Sequence, residues 1–146
     1  MKQLTIALLV VAGLTTACTQ MSNMMHGDSK SAAEEVSLTG SNEVPAVTSP
    51  ASGTASVTVN SDRSVKARVV VKDMTATASH IHMGAPGSNG PVIVPFVKQG
   101  DNTFVAAPGA KMTEAQYDAY KAGRTYVNVH SAAHASGEIR AQLKGN

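Results

Sequence analysis

The chain has 146 residues, enough for one domain with one hydrophobic core. Its formal net charge of +2 at pH 7 is too small to indicate nucleic-acid binding, and its basic residues are not clustered. Tryptophan is absent and aromatic residues make up only 3%, so platforms for stacking bases are missing as well. We therefore expect no nucleic-acid partner, and a core built from Val, Ala, Ile and Leu.

Residues 1–17 have the features of a signal peptide. Lys2 supplies the positive start, and an apolar run from Leu4 to Leu14 is too short to span a bilayer. The run leads into the sequence TTAC at residues 15–18, which resembles a bacterial lipobox, although a threonine stands where leucine is usual. The resemblance implies cleavage before Cys18 and lipidation of its thiol.

Cys18 is the only cysteine, so it cannot form an internal disulfide, and ordinary secretion with a spare thiol is the alternative. Thr19 follows it where some lipoproteins have aspartate. By resemblance to Gram-negative lipoproteins, this favours the outer membrane, facing the periplasm, if the source is Gram-negative. The expected location is thus the cell envelope, with a lipid anchor in the membrane.

Residues 18–35 are polar and small and have no apolar period, which is typical of a flexible tether. The tether contains the soft ligands Met21, Met24, Met25 and His26, which suit Cu(I). An ordinary linker with incidental methionines is the other interpretation. The folded domain is expected over residues 36–146.

Alternating apolar and polar residues predict the first strands of this domain. Residues 36–40 form one such stretch, and residues 54–59 and 64–72 form a hairpin around a turn at Asn60. Residues 92–97 are an apolar run, but Pro95 cannot donate a ladder hydrogen bond, so this strand should be an edge strand or a bulged one. Residues 103–105 are a further short strand.

The second half of the domain holds one helix and two strands. Thr113 is a candidate N-cap, Gln116 three residues later completes a capping box, and Gly123 is a stop signal. Residues 124–130 and 137–143 alternate again. The pattern predicts an all-β fold, an antiparallel β-sandwich like that of immunoglobulin or superoxide dismutase domains, with one short helix.

Two histidine segments are the most informative feature of the sequence. His80 and His82 should share one face of a strand, because Ile81 between them belongs to the core. Val127 and Val129 should be core residues too, so His130 also points out of the sandwich. If the strands are neighbours, three imidazoles share an exposed outer face, and we expect their ring nitrogens within about 4 Å of a common point.

Neutral imidazoles bind copper, zinc, iron and nickel, and three of them leave an open position. His134, in the loop after His130, is a candidate fourth ligand, and Met83 a candidate soft axial ligand. Three polar residues are candidates for holding the imidazoles in orientation, namely Asn128, Glu138 and Arg140. A solvated polar strand face, without metal, is the alternative for the histidines.

A resemblance to the CHRD (chordin-type) domain family extends over about residues 36–143. It rests on five segments in the same order: LTGSNEVP at 38–45, GTA at 53–55, HIHMGAPGSNGPV at 80–92, YVNVHS at 126–131 and GEIR at 137–140. The family, which includes many bacterial secreted proteins, implies a compact β-sandwich domain. It implies no settled biochemical activity.

A more distant resemblance is to Cu,Zn superoxide dismutases, which also have a His-x-His strand before a Gly-rich loop. On that likeness His80, His82 and His130 match three copper ligands. The zinc loop has no counterpart, because residues 84–110 contain no histidine, and Arg140 is only a candidate for the arginine that guides superoxide. There is no disulfide pair either.

These observations lead to one main hypothesis and two alternatives. The main hypothesis is an envelope lipoprotein whose CHRD domain binds copper, or another transition metal, and does not turn over a substrate. The first alternative is a metal-independent interaction module, in which the histidine strands and the loop at 84–91 bind an envelope protein. The second is a redox enzyme of the dismutase type.

Overall fold

The computed structural model describes residues 31–146. It contains eight strands, one 3-10 turn at Gly40–Asn42 and one α-helix, α1, at Glu114–Lys121. The strands are β1 Glu34–Thr39, β2 Ser52–Val59, β3 Val65–Lys72, β4 Ala76–Met83, β5 Val92–Lys98, β6 Thr103–Ala106, β7 Thr125–Ser131 and β8 Ile139–Leu143. The predictions for the signal peptide, for Cys18 and for the methionines of the tether lie outside the described residues.

The eight strands form a closed antiparallel barrel in the order β1-β2-β3-β6-β5-β4-β7-β8. The closure is made by β1 and β8, which meet where Thr39 pairs with Arg140. The prediction of an all-β antiparallel fold with one short helix is confirmed. What the sequence did not show is that the two layers of the sandwich join at both sides.

The barrel interior is filled by the apolar half of each alternating strand. On β2 and β3 the inward residues are completely buried valines such as Val57 and Val69. Ile81 on β4 and Val127 on β7 are also fully buried. Each such side chain contributes roughly 1.5–3 kcal/mol by leaving water, so alternation is a strong constraint on which side of a strand faces the core.

Helix α1 begins as its sequence predicts. Thr113 is the N-cap, and both bonds of the capping box are present: Gln116 N donates to Thr113 Oγ1 (3.2 Å), and Thr113 N donates to Gln116 Oε1 (2.8 Å). The helix ends before Gly123, whose φ of +67° lies in the region that favours glycine. Tyr120 anchors the helix, since its side chain is buried in the core cluster.

Strand β5 lies between β4 and β6 and is bulged on its β4 side. On the β4 side the register shifts between Ile81 and His82, and on the β6 side pairing begins only at Phe96. Pro95 pairs with His80 on β4 but has no partner on β6. The backbone hydrogen bond that proline cannot donate is therefore not needed on the β6 side. Of the two predicted forms, the bulged strand is the correct one.

Within residues 31–146, no helix combines the length and the apolar composition that crossing a membrane requires.

Candidate metal centre

Three neighbouring strands place the functional side chains on one outer face of the barrel. β4 pairs with β7 so that His80 lies opposite Asn128, and β7 pairs with β8 so that Asn128 lies opposite Arg140. Ala78 lies opposite His130 in the same ladder. Because Ile81 and Val127 point into the barrel, the residues that alternate with them all project from this outer face.

The three predicted histidines converge. One ring nitrogen from each of His80, His82 and His130 lies within 4.8 Å of the other two. Three atoms so spaced all lie within about 2.8 Å of a common point, so small side-chain shifts bring them to the usual metal–nitrogen distance of about 2.0 Å. The expectation that these nitrogens surround one point is confirmed, and the group could hold a metal ion.

Backbone carbonyls hold two of the rings in the orientation that a metal ligand needs. Nδ1 of His82 is 2.8 Å from the carbonyl oxygen of Gly90, and Nδ1 of His130 is 3.0 Å from that of Ala135. A carbonyl only accepts, so each Nδ1 donates its proton and the neutral ring keeps its lone pair on Nε2. Nε2 of His130 lies 3.1 Å from Nδ1 of His80. Carbonyls that fix the tautomer in this way are typical partners of metal-binding histidines.

The prediction that this face is exposed is wrong, because the site is partly buried. Only 8% of His82 is accessible, and His80 and His130 are half-buried. The cause is the loop at 84–91, which folds back over the face. Arg140 anchors it by donating to the Ser88 carbonyl (2.8 Å) and the Asn89 side chain (3.1 Å). Alternation predicted the direction of the side chains correctly, but it contains no information on what covers them.

Gly90 shows how closely this loop approaches the strand. A Cβ at Gly90 would overlap the carbonyl oxygen of Met83, so only glycine fits. Gly90 N also donates to the Tyr126 hydroxyl (3.2 Å). The ring of Tyr126 in turn stacks on that of His82, with 4.9 Å between centroids, and the Arg140 guanidinium lies 3.3 Å from the Tyr126 centroid. His82 is thus one layer of a packed stack.

A second loop, at residues 40–50, covers the β8 side of the face. Asn42 donates to the backbone carbonyl of Arg140 (3.1 Å), and Ser49 donates to the Glu138 carboxylate (2.5 Å). The same loop buries the Glu43 side chain, which is 7% exposed. Asn89 then links the two loops by donating to the Val44 carbonyl (2.7 Å).

Burial favours the neutral form of two of the imidazoles, those of His80 and His82. It lowers the pKa of His80 to about 4, with the neighbouring rings of His130 and His82 acting in the same direction. Burial also lowers the pKa of His82, although the hydrogen bond to Gly90 opposes the change. Neutral imidazole is the form that binds a metal.

The sequence of this barrel matches one known protein family. The family model described as CHRD domain matches residues 35–143. The chain belongs to the CHRD domain family. Neither a curated protein nor a solved structure matches it. The match covers the whole barrel except the first residue of β1, and thus all three histidines.

Several buried polar atoms of this CHRD domain have no hydrogen-bond partner among the described residues. Two of them lie on the histidine face, His82 Nε2 and Asn128 Oδ1, and a third, Glu43 Oε1, lies beside Asn128. With Nδ1 of His82 protonated, all three are acceptors. Burial raises the pKa of Glu43, and the charge of Arg140 opposes the change. A concentration of buried acceptors without donors is unfavourable unless a cation is present, which agrees with a metal at this position.

The other predicted site residues of the CHRD domain do not all lie at the three-histidine group. Asn128 and Arg140 lie within the covered layer, each 2% exposed. Among the described residues, His134 is not part of the three-histidine group; its backbone N donates to Ser131 Oγ (3.2 Å). The Glu138 carboxylate accepts a hydrogen bond from Ser49, in the loop at 40–50. Its predicted role and that of His134 stay predictions.

Two contributors to the site were missed from the sequence. Glu43 has no other candidate site residue near it in the sequence, yet it is buried beside Asn128. Tyr126 lies on the same side of β7 as Asn128 and His130, and strand alternation could have indicated this from the sequence. Its stacking on His82 depends on how β4 and β7 pair. Met83, the candidate axial ligand, lies two residues after Ile81 and so projects from the same side of β4 as Ile81, opposite to His82.

Proposed function

We propose that this CHRD domain binds a transition metal, copper first of all, through His80, His82 and His130. The observation that supports it most directly is the spacing of the three ring nitrogens, all within 4.8 Å of one another. Imidazole suits copper and zinc, and a three-histidine set leaves room for a further ligand. The role we propose is metal binding or delivery in the cell envelope, on a domain tethered through lipidated Cys18.

Two features of the surroundings support a ligand role over a solvated polar face. The Gly90 and Ala135 carbonyls fix the tautomers of His82 and His130 that keep the lone pair on Nε2, which a solvated histidine would not need. The covering loop also reduces the water around the site, which strengthens every interaction of a bound cation. Partial exposure of His80 and His130 keeps a path for metal entry and release.

The test is a metal titration of the chain from Thr19 onward, which retains the complete barrel. For the double variant His80→Ala/His82→Ala, we expect Cu(II) affinity to fall at least about 100-fold, more than the loss typical when only an outer hydrogen-bond partner is removed. Arg68→Ala, on the exposed face of β3, is the control and should bind as the wild type does.

His134→Ala is a third variant in the same titration. A clear loss of affinity there would add His134 to the ligand set, and no change would remove it. Binding that is absent in the wild type, or undiminished in the double variant, would contradict the proposal. Superoxide turnover by the copper-loaded protein would add the redox activity that the distant likeness to dismutases suggests.

One observation favours a second function, an interaction with an envelope protein. Val92 and Val97 on β5 are the large apolar residues most exposed in the described part of the chain, at 46% and 48%. Both lie on the strand that pairs with His80 and His82. Exposed apolar residues beside a metal site suit transient docking of a partner that receives or supplies the metal. Loss of partner capture in a Val92→Ser/Val97→Ser variant, with metal affinity unchanged, would support it.

A further inference from the structure

Asn128 occupies the floor of the histidine site. Its backbone pairs with His80 on one side and with Arg140 on the other, and its side chain leaves the same face as the three histidines. It is 2% exposed, so its amide group has no access to bulk water. A buried amide normally satisfies both its oxygen and its nitrogen with protein partners.

The two ends of this amide have different surroundings. A Cβ added to Gly137 would come within 2.8 Å of Asn128 Nδ2 and within 2.5 Å of Glu43 Oε1, so the nitrogen end lies against the Glu43 carboxyl in the space that Gly137 leaves. The oxygen end lies on the other side of the amide. Asn128 Oδ1 is buried and has no hydrogen-bond donor among the described residues.

We infer that Asn128 Oδ1 is a fourth metal-directed group, and that the site is a three-nitrogen, one-oxygen centre for a divalent ion. This inference rests on the proposed function. The buried oxygen without a donor is explained if a cation supplies its missing contact. His82 Nε2 has the same unmet requirement, and one ion satisfies both atoms. Glu43 acts as the positioning residue, because its carboxyl attracts Nδ2 and thereby turns Oδ1 away.

The donor set determines which metal the site favours. Amide oxygen is a hard donor, whereas Cu(I) prefers thiolate and thioether sulfur. Three imidazoles alone accept either oxidation state of copper. The added oxygen therefore favours Cu(II), and also Zn(II), over Cu(I), so the domain holds copper in its oxidised form.

The test compares Asn128→Leu with the wild type, both as the chain from Thr19, in competition titrations with Cu(II) and with Cu(I). We expect Cu(II) affinity to fall about 10-fold while Cu(I) affinity stays within about 2-fold, so the reduction potential of the bound copper rises by about 59 mV. Equal losses for both ions would mean that Asn128 only supports the structure, and no loss for either would mean that it does not face the metal. Either result overturns the inference and leaves the three-histidine proposal standing.

A measurement on the wild type avoids any dependence on the folding of the variant. Addition of Zn(II) should move the ¹³C resonance of the Asn128 side-chain carbonyl downfield, as coordination of its oxygen requires. Asn42 is the control, because it is exposed and its amide nitrogen already donates to the Arg140 backbone carbonyl (3.1 Å). Equal shifts for the two residues, or a shift of the histidine rings alone, would overturn the inference. A wild type that binds neither ion would overturn the proposed function and this inference together.

Discussion

The barrel has two outer faces with the same sequence pattern and opposite surroundings. On β3, three of the four residues that alternate with the buried valines are exposed cations, namely Lys66, Arg68 and Lys72. On β7 and β8 the equivalent positions are Tyr126, Asn128 and Arg140, each 2% exposed. The difference lies in the loops, since residues 40–50 and 84–91 cover the second face. Strand alternation thus determines which way a side chain points, and the loops determine whether it meets water.

Arginine substitutions on the covered and the exposed face should differ most in their effect on the free energy of unfolding. Arg140→Ala removes the anchor of the loop at 84–91 and the cation beside buried Glu43, so the free energy of unfolding should fall by about 3–5 kcal/mol. Arg68→Ala, on the exposed face, should change it by less than about 0.5 kcal/mol. Urea denaturation measures both. Similar losses in the two variants would show that the covered face is not a distinct structural layer.

Tyr126→Phe probes a single contact of the covered face. The variant keeps the ring that stacks on His82 but removes the hydroxyl that accepts from Gly90 N. We expect a loss of about 1–2 kcal/mol, because the Gly90 amide is left without its partner. Faster hydrogen exchange at Gly90, with unchanged exchange at Val69 on the other side of the barrel, would locate the effect in the loop. Unchanged exchange at Gly90 would contradict the role of this bond.

The third prediction is a pH dependence confined to the histidine face. In the metal-free protein the pKa of His80 is lowered from 6.5 to about 4 by burial, with the neighbouring histidines contributing. As the pH falls from 6.5 to 4, the unfolded chain therefore takes up a proton at this residue that the folded chain does not, and stability falls over that range. Above pH 6.5 this contribution is fully present.

The matched variant for the pH experiment is His80→Gln, which should show a shallower loss of stability between pH 6.5 and 4. Thermal melting at a series of pH values, in the presence of a chelator, measures the difference between the two curves. Parallel curves for the variant and the wild type would show that His80 titrates in the folded protein as it does in the unfolded chain.

Much of the fold could be read from local patterns. The capping box at Thr113 and the stop at Gly123 predicted α1 because both signals act within a single turn. The inward and outward sides of β2, β3, β4 and β7 followed from alternation, since a strand has only two sides. Pro95 left two alternatives open, and only the neighbouring strands decided between them.

For the candidate site too, some features followed from the sequence and others came only with the tertiary structure. The sequence by itself determined that His80, His82 and His130 leave the outer side of their strands, because Ile81, Val127 and Val129 had to be buried. The pairing of β4 with β7, the loops over the face and the burial of Glu43 came only with the tertiary structure. Strand pairing and loop packing join residues such as Arg140 and Ser88 that are far apart in the chain. Their energies depend on how the whole barrel closes, and no local pattern in the sequence contains that information.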